Sequence, residues 1–126
     1  MNIFVSYTTR NNEVTINSLT NFSNKVNSFG KIFIDLLDNN SLDKQGRIIE
    51  ELEKSDILVL IKSNSTYNSE WVKLELEIAN KINIPVIEFE IDEIDNLTED
   101  AIRLRIFTDD RVKSPATNKR FGKIRA

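Results

Sequence analysis

The sequence predicts an α/β domain built on a mainly parallel β-sheet with helices on both faces. Short apolar runs alternate with segments whose apolar residues recur every three or four positions, so strands and helices alternate along the chain. One run, at residues 57–61, is five apolar residues long, as expected of a central strand buried on both faces. A chain of 126 residues with 40% hydrophobic content suits one compact core. We therefore assign residues 1–126 to one domain.

The first half of the chain is predicted to contribute two strands and two helices. In order, the elements are a strand at residues 3–5, a polar loop at 8–13, a helix with an apolar stripe from 14 to 29, a strand at 31–35, a polar loop at 38–45 and a helix around 48–52. Gly30 ends the first of these helices.

The second half is predicted to add three strands and a longer helix. These are the buried strand at residues 57–61, a polar loop at 62–68, a helix at 69–82 with Ser69 as its N-cap, a strand at 84–87, an acidic connection at 88–100 and an edge strand at 102–106. The last assignment rests on alternation, because Ile102, Leu104 and Ile106 alternate with Arg103, Arg105 and Phe107. The expected sheet is thus five-stranded.

The composition excludes several kinds of chemistry. The chain has no Cys and no His, which removes thiol nucleophiles, thiolate metal sites, the usual general base and the commonest zinc ligand. With three Gly in the chain, neither a G-x-G-x-x-G motif nor a P-loop can be written. We expect no metal site and no bound cofactor. Any catalysis must use carboxylates, hydroxyls, aromatic rings, Lys or Arg.

Charge and hydropathy indicate a soluble cytoplasmic domain. The net charge of −3 gives no attraction to nucleic acid or to an anionic membrane, and no apolar run is long enough to span a bilayer. Residues 111–126 hold six Lys or Arg and no acid, but Phe121 is their single aromatic residue. Without aromatic residues between the charges this tail does not resemble a nucleic-acid platform. We expect a solvated terminal helix or a frayed end there.

The helix at residues 69–82 carries one acidic residue on an otherwise apolar face. On a helical wheel Glu75 lies in the middle of the apolar arc, and the other charged side chains fall on the opposite face. The apolar arc consists of Trp71, Val72, Leu76, Ile78, Ala79 and Ile82. A carboxylate on a packing face is costly unless it is paired, hydrogen-bonded or open to a water-filled cleft.

Two interpretations of Glu75 follow. It lies either at the edge of the helix, where it reaches solvent or pairs with an Arg or Lys, or in the wall of a ligand pocket beside Trp71, one helical turn away. Parallel sheets bind ligands outside the carboxyl ends of their strands. That rule brings the loops at residues 6–10, 35–46 and 62–68 around this helix, which favours the pocket.

Several short motifs, in their order and spacing, resemble a prokaryotic TIR (Toll/interleukin-1 receptor) domain over residues 2–89. The matching strings are Phe4-Val5-Ser6-Tyr7, Phe33-Ile34-Asp35, Gly46 before Ser55-Asp56-Ile57-Leu58-Val59-Leu60-Ile61, and Ser69-x-Trp71-Val72-x-x-Glu75-Leu76. The resemblance implies a three-layer, flavodoxin-like fold with a five-stranded sheet. The segment after residue 89 is compatible with the last strand and helix of that fold.

The TIR family divides between adaptor modules that self-associate and enzymes that cleave NAD⁺ between nicotinamide and ribose. The enzymes carry a W-x-x-x-E motif with a catalytic Glu, which Trp71 and Glu75 match. The resemblance further implies that Ser6, Tyr7 and Arg10 line the nucleotide pocket. It also implies that residues 38–46, the family's BB loop, cover the pocket or contact a neighbouring subunit. Here Thr8-Thr9 stands where several NAD-cleaving members have basic residues, and Gln45-Gly46 replaces the usual Pro-Gly.

The chemistry of NAD⁺ is compatible with this composition. Nicotinamide departs as a neutral molecule, so no general acid is required, and the barrier lies in the positive charge that develops on ribose. We expect the Glu75 carboxylate to stabilise that charge and Trp71 to shape the pocket. Asp35 either caps a turn or contacts the ligand. Ser6 is not expected to act as a nucleophile, because no base is available to activate it.

The resemblance implies NAD⁺ as substrate in phage defence. The product would be ADP-ribose or a cyclic or conjugated ADP-ribose signal that activates a separate effector. Two alternatives remain at this point. The domain could be a non-catalytic module that self-associates through the BB loop, or an enzyme similar to nucleoside deoxyribosyltransferases, which also use a Glu on a comparable sheet. Base exchange on deoxynucleosides would reveal the latter.

Overall fold

The computed structural model describes residues 1–112, which form a four-stranded parallel sheet with helices on both faces. The strands are β1 (Asn2–Ser6), β2 (Lys31–Ile34), β3 (Ile57–Lys62) and β4 (Val86–Glu90), in the spatial order β2-β1-β3-β4. The helices are α1 (Ile16–Val26), α2 (Asp35–Asp38), α3 (Lys44–Glu53), α4 (Glu70–Lys81), α5 (Ile91–Ile94) and α6 (Glu99–Phe107). The terminal helix or frayed end expected at residues 111–126 lies almost wholly outside the described residues.

The alternation of side chains along the strands divides the core into two layers. In β1, Ile3 and Val5 pack against α1 and α6, whereas Phe4 packs against α3 and α4. The central strand β3 is buried on both faces, as its five apolar residues predict. The helix–sheet–helix layering expected from the sequence is therefore confirmed.

The order of the strands creates a crevice at the carboxyl ends of β1 and β3. The chain leaves β1 through α1, which covers one face of the sheet, and reaches β3 through α3, which covers the other. The order reverses between these two strands, and such a switch point opens a ligand crevice. Ser6 ends β1 there, and α4 follows β3.

The predicted fifth strand at residues 102–106 is wrong, because these residues belong to α6. The Thr98 side chain caps this helix by accepting a hydrogen bond from the backbone N–H of Ala101, at 3.1 Å. Ile102 and Ile106, one helical turn apart, are buried against the sheet, while Leu104 is 64% exposed. A strand would have placed all three side chains on one face. The acidic connection predicted before α6 also contains regular secondary structure. Its first residues extend β4, and the next ones form α5.

The polar loop predicted at residues 38–45 is shorter in the structure, where α2 ends at Asp38 and α3 begins at Lys44. Asp43 caps α3 through a hydrogen bond from the Gly46 N–H to its carboxylate, at 3.1 Å. A Cβ on Gly46 would approach the Asp43 carboxylate closely, so a larger residue at this position would require the Asp43 side chain to shift. Over residues 1–112, no helix is both long enough and apolar enough to cross a membrane.

Candidate active site

Glu75 is buried in the middle of α4. Ser69 starts this helix by accepting the Val72 N–H at 3.2 Å, as predicted, and the helix packs Val72 and Ala79 against the sheet. Glu75 lies on the same face and is 5% exposed. Its carboxylate forms no ion pair with any residue in the described part of the chain. The interpretation of Glu75 as a helix-edge residue, solvated or paired with Arg or Lys, is therefore wrong.

The hydroxyl of Ser6 holds the Glu75 carboxylate. Successive side chains of β1 point to opposite faces of the sheet. Ser6, two residues after Phe4, therefore points to the α4 side as Phe4 does. Its Oγ donates a buried hydrogen bond to Glu75 Oε1 at 2.7 Å. The sequence analysis placed Ser6 in the pocket but missed this contact, which depends on the pairing of β1 with β3 and on the position of α4 above them. Ser6 thus acts as a donor to the acid.

Trp71 lies one turn before Glu75 and contributes an unused donor. Its indole Nε1 is buried and has no hydrogen-bond partner within residues 1–112. The indole N–H nevertheless lies close enough to the Glu75 carboxylate to lower its pKa. A buried N–H without a partner is uncommon in folded proteins, since it forfeits its interaction with water. Trp71 thus lines the cavity with its indole N–H close to the Glu75 carboxylate.

Burial raises the pKa of Glu75 to about 7, far above that of an exposed carboxyl. Loss of hydration is the largest cause, and the negative charge of Asp35 raises this pKa further. The hydrogen bond from Ser6 and the nearby indole N–H of Trp71 act in the opposite direction, but they do not balance the burial. The group is consequently divided between its charged and neutral forms near neutral pH.

A cavity of about 230 Å³ opens beside Glu75 and Trp71. Side chains from the ends of β1 and β2 and from α4 form its wall: Val5, Tyr7, Thr8, Thr9, Asp35, Leu36, Trp71 and Glu75. A second, more open groove of about 400 Å³ shares Thr9 and Leu36 with it and continues toward the start of α1. The structure thus brings Tyr7, Asp35, Trp71 and Glu75 together, with Ser6 directly behind Glu75.

Tyr7 is fixed at the cavity wall by its hydroxyl group. The Oη atom accepts a hydrogen bond from the backbone N–H of Leu36 at 2.9 Å. Burial, together with the nearby charges of Asp35 and Glu75, raises the pKa of Tyr7 to about 12. Its hydroxyl therefore stays protonated at physiological pH and retains a proton that it can donate.

Asp35 is held in the cavity wall by a buried asparagine that the sequence analysis did not identify. Asn39 donates from Nδ2 to Asp35 Oδ1 at 2.7 Å and to the Lys44 carbonyl oxygen at 3.0 Å. Its side-chain oxygen accepts the Ser41 N–H at 3.1 Å. Asn39 thereby ties the loop between α2 and α3 to the cavity. Only the Asn-rich composition of that loop hinted at such a role.

Arg10 does not line the cavity, and it has no contact with Glu75 of the kind that Ser6 makes from behind the wall. It lies exposed in a short 3₁₀ turn, Arg10–Asn12, that follows the wall residues Thr8 and Thr9. The side chain of Asn11 in that turn donates to Ser65 Oγ at 2.6 Å, and Ser65 Oγ donates to Glu13 Oε1 at 3.3 Å. These contacts join the first loop to the loop before α4. Thr8 and Thr9 are wall residues that the sequence analysis did not assign to the site.

Comparison with known families is consistent with this architecture. A family model described as Thoeris protein ThsB, TIR-like domain, matches residues 4–96. The matched span includes β2, β3 and β4, β1 from Phe4 onward, and the whole cavity wall. No curated protein shows a significant match to the chain. Because the model covers well over half of the sequence, the chain belongs to the ThsB TIR-like family of the Thoeris defence system and is a prokaryotic TIR domain.

Proposed function

We propose that this domain is an enzyme that cleaves NAD⁺ between nicotinamide and ribose, with Glu75 as its catalytic residue. The observation that supports this most directly is a buried carboxylate without a counter-cation, within residues 1–112, at the wall of a cavity. Keeping a charge out of water in this way is unfavourable for folding. It is useful where positive charge develops on a bound molecule, because the carboxylate then acts in a dry environment of low dielectric constant.

The reaction matches the groups that the cavity contains. When the bond between ribose C1′ and the pyridinium nitrogen breaks, its electron pair moves to the nitrogen, and nicotinamide leaves uncharged. The positive charge passes to the ribose as an oxocarbenium ion, which the Glu75 carboxylate stabilises. Ser6 holds Oε1 of that carboxylate at 2.7 Å. Water or another nucleophile then attacks C1′, and no His or Cys is needed.

The dimensions of the cavity and its neighbouring groove favour a two-part ligand. Sites for drug-sized ligands have volumes of about 300–1,000 Å³, so the cavity of about 230 Å³ accommodates only part of a dinucleotide. We assign the nicotinamide riboside half to this cavity and the remainder to the adjoining groove of about 400 Å³. Tyr7 and Asp35 contact the first half in this arrangement. Arg10, on the loop that supplies Thr9 to both spaces, contacts the diphosphate.

The biological role that we propose is signalling in antiphage defence, as expected of a Thoeris TIR-like domain. The product would be ADP-ribose or a cyclic or conjugated form of it, which a separate effector senses. Which form results depends on the nucleophile that reaches C1′. Mass spectrometry of the products of purified protein with NAD⁺ would distinguish these forms.

A non-catalytic signalling module that self-associates is the second candidate, and one observation favours it. Leu42, in the loop between α2 and α3, has a fully exposed side chain. An exposed leucine at a loop tip is a suitable contact for another copy of the domain. The loop at residues 38–46 could thus mediate assembly with or without catalysis. Leu42→Asp should reduce self-association, which sedimentation velocity would measure.

The decisive experiment measures NAD⁺ consumption by the wild type and by Glu75→Gln. We expect Glu75→Gln to lower turnover by at least about 100-fold, since it removes the charge that stabilises the transition state. Glu77→Gln is the matched control, because Glu77 lies exposed on the same helix. Circular dichroism would verify that all three proteins are folded. Equal turnover by wild type and Glu75→Gln, or no turnover by either under assembling conditions, would contradict the enzymatic proposal and favour the module.

A further inference from the structure

We infer that Asp35 determines specificity in this cavity: with Glu75, it makes the site select a positively charged pyridinium ring over a neutral ring of the same shape. This inference rests on the proposed function and names the feature of the substrate that the site recognises. It concerns a residue for which the sequence left turn capping and ligand contact equally open.

The position of Asp35 is fixed independently of Glu75. Asp35 follows the last residue of β2, whereas Glu75 belongs to α4, and both side chains line the cavity. Asp35 Oδ1 accepts the hydrogen bond from Asn39, whose carboxamide is itself fully engaged and 5% exposed. Within residues 1–112, Oδ2 has no hydrogen-bond partner, and no Lys or Arg forms an ion pair with Asp35. The Asp35 carboxylate thus lines the cavity with one oxygen that has no partner in the described part of the chain.

The charge distribution of the wall favours a cation. Two carboxylates line the cavity, and none of the residues in its wall is basic. Their mutual repulsion is evident, since the Asp35 charge raises the pKa of Glu75. A cation between them would relieve this repulsion. A neutral ring would leave it in place and gain only apolar contact.

The other wall residues suit a flat ring that carries a carboxamide. The aromatic side chains of Tyr7 and Trp71 offer π faces, which attract cations as well as planar rings. The buried Nε1–H of Trp71 has no partner among the described residues, so it can donate to a carbonyl oxygen. This donor lies close to the Glu75 carboxylate, whose pKa it lowers.

Asp35 and Glu75 should differ in their kinetic effects. The pyridinium is positively charged before the bond breaks, so Asp35 stabilises the bound substrate itself. Loss of its charge should raise KM for NAD⁺ more than it lowers kcat. Loss of the Glu75 charge should chiefly lower kcat. Asp35→Asn should also lower the pKa of Glu75, which would move the acid limb of the pH–activity profile to lower pH.

Binding of two small probes tests the inference without catalysis. 1-Methylnicotinamide is a cation that the enzyme cannot cleave to an oxocarbenium ion, and nicotinamide is its neutral counterpart. Protein-observed NMR titrations would give both dissociation constants for the wild type, Asp35→Asn and Asp95→Asn. Asp95 is exposed and lies outside the cavity wall, so its variant controls for net charge. Asp35→Glu, which keeps the charge, should retain part of the preference.

We expect the wild type and Asp95→Asn to bind the cation more tightly than nicotinamide. Asp35→Asn should reduce that preference by roughly three- to tenfold, the effect of one partly buried charge. An unchanged preference in a folded Asp35→Asn protein, or a wild type that does not prefer the cation, would overturn the inference. NAD⁺ turnover measured on the same samples separates the two claims. Turnover with an unchanged preference refutes only the role of Asp35, and an Asp35-dependent preference without turnover refutes only the enzymatic proposal.

Discussion

Relative to wild type, Glu75→Gln should make the folded domain more stable at pH 8 than it does at pH 5. In the folded domain burial raises the pKa of Glu75 to about 7, whereas in the unfolded chain the group ionises near its ordinary value of 4.5. A raised pKa means that the fold favours the protonated form. The stabilising contribution of that form is complete below pH 4.5, declines as the unfolded chain ionises, and is lost once the pH rises through 7.

The size of the effect follows from the two pKa values. Each pH unit between 4.5 and about 7 lowers the free energy of unfolding by about 1.4 kcal/mol, so the full loss is about 3 kcal/mol. Between pH 5 and pH 8 the loss is about 2.5 kcal/mol by the same linkage. The amide of Glu75→Gln still offers an acceptor to Ser6 but does not titrate. Relative to wild type, the variant should therefore gain about 2.5 kcal/mol from pH 5 to pH 8.

Urea unfolding at pH 5 and pH 8 measures this difference directly. Other titrating groups are common to both proteins, so their contributions cancel when the two differences in unfolding free energy are subtracted. Glu77→Gln, at an exposed position of the same helix, should show a difference from wild type that hardly changes with pH. If Glu75→Gln behaved like this control, then Glu75 would not titrate near 7 and the assignment of a dry carboxylate would be refuted.

Three further outcomes are expected. Turnover by the wild type should rise with pH through about 7, because the charged form of Glu75 is the active one. Ser6→Ala should lower the unfolding free energy by about 1–3 kcal/mol, since it leaves a buried acceptor unpaired, and it should move the acid limb of the pH–activity profile to higher pH. Ile106→Ala should lower the free energy of unfolding by about 2–5 kcal/mol, whereas Leu104→Glu should change it by less than about 0.5 kcal/mol. Equal destabilisation by the two substitutions in urea unfolding would contradict the helical assignment of α6.

The sequence predicted the parts of the fold that depend on short-range patterns. The run at residues 57–61 identified β3 because a strand covered on both faces must be apolar throughout. Ser69 identified the start of α4, since a capping hydroxyl acts on the next turn of its own helix. The position of Glu75 on the apolar face of α4 could be predicted for the same reason, because a helical wheel uses only the spacing of residues within one helix.

The last predicted strand shows where such patterns become ambiguous. Ile102 and Ile106 are four residues apart, which satisfies both the period of two and the helical period. Leu104, between them, made the alternation look complete although its side chain is exposed. The decisive signal was the Thr98 cap, followed by Glu99 and Asp100 in the first turn of α6. In this segment the helix cap therefore predicts the structure correctly, and the alternation of three apolar residues does not.

The site contacts that were missed depend on the folded structure beyond one element. Ser6 and Glu75 are separated by 69 residues, and their hydrogen bond depends on the register between β1 and β3 and on the crossover to α4. The link from Asn39 to Asp35 is local, yet it depends on Asn39 becoming buried, which composition does not indicate. Arg10 was placed by analogy alone, and the turn at Arg10–Asn12 leaves its side chain outside the cavity wall.

The opposing signs of stability and activity distinguish a functional charge from a structural one. A carboxylate retained for the fold would be paired, its pKa would fall, and stability would increase as it ionised. The pKa of Glu75 is raised instead, since Ser6 and Trp71 only partly offset the effect of its desolvation. Ionisation of Glu75 therefore lowers the stability of the fold. If the proposed reaction is correct, turnover should rise around pH 7, at the upper end of the range from pH 4.5 to about 7 in which this contribution to stability declines. A stability curve that levels off near the pH at which turnover is half-maximal would trace both properties to a single proton on Glu75.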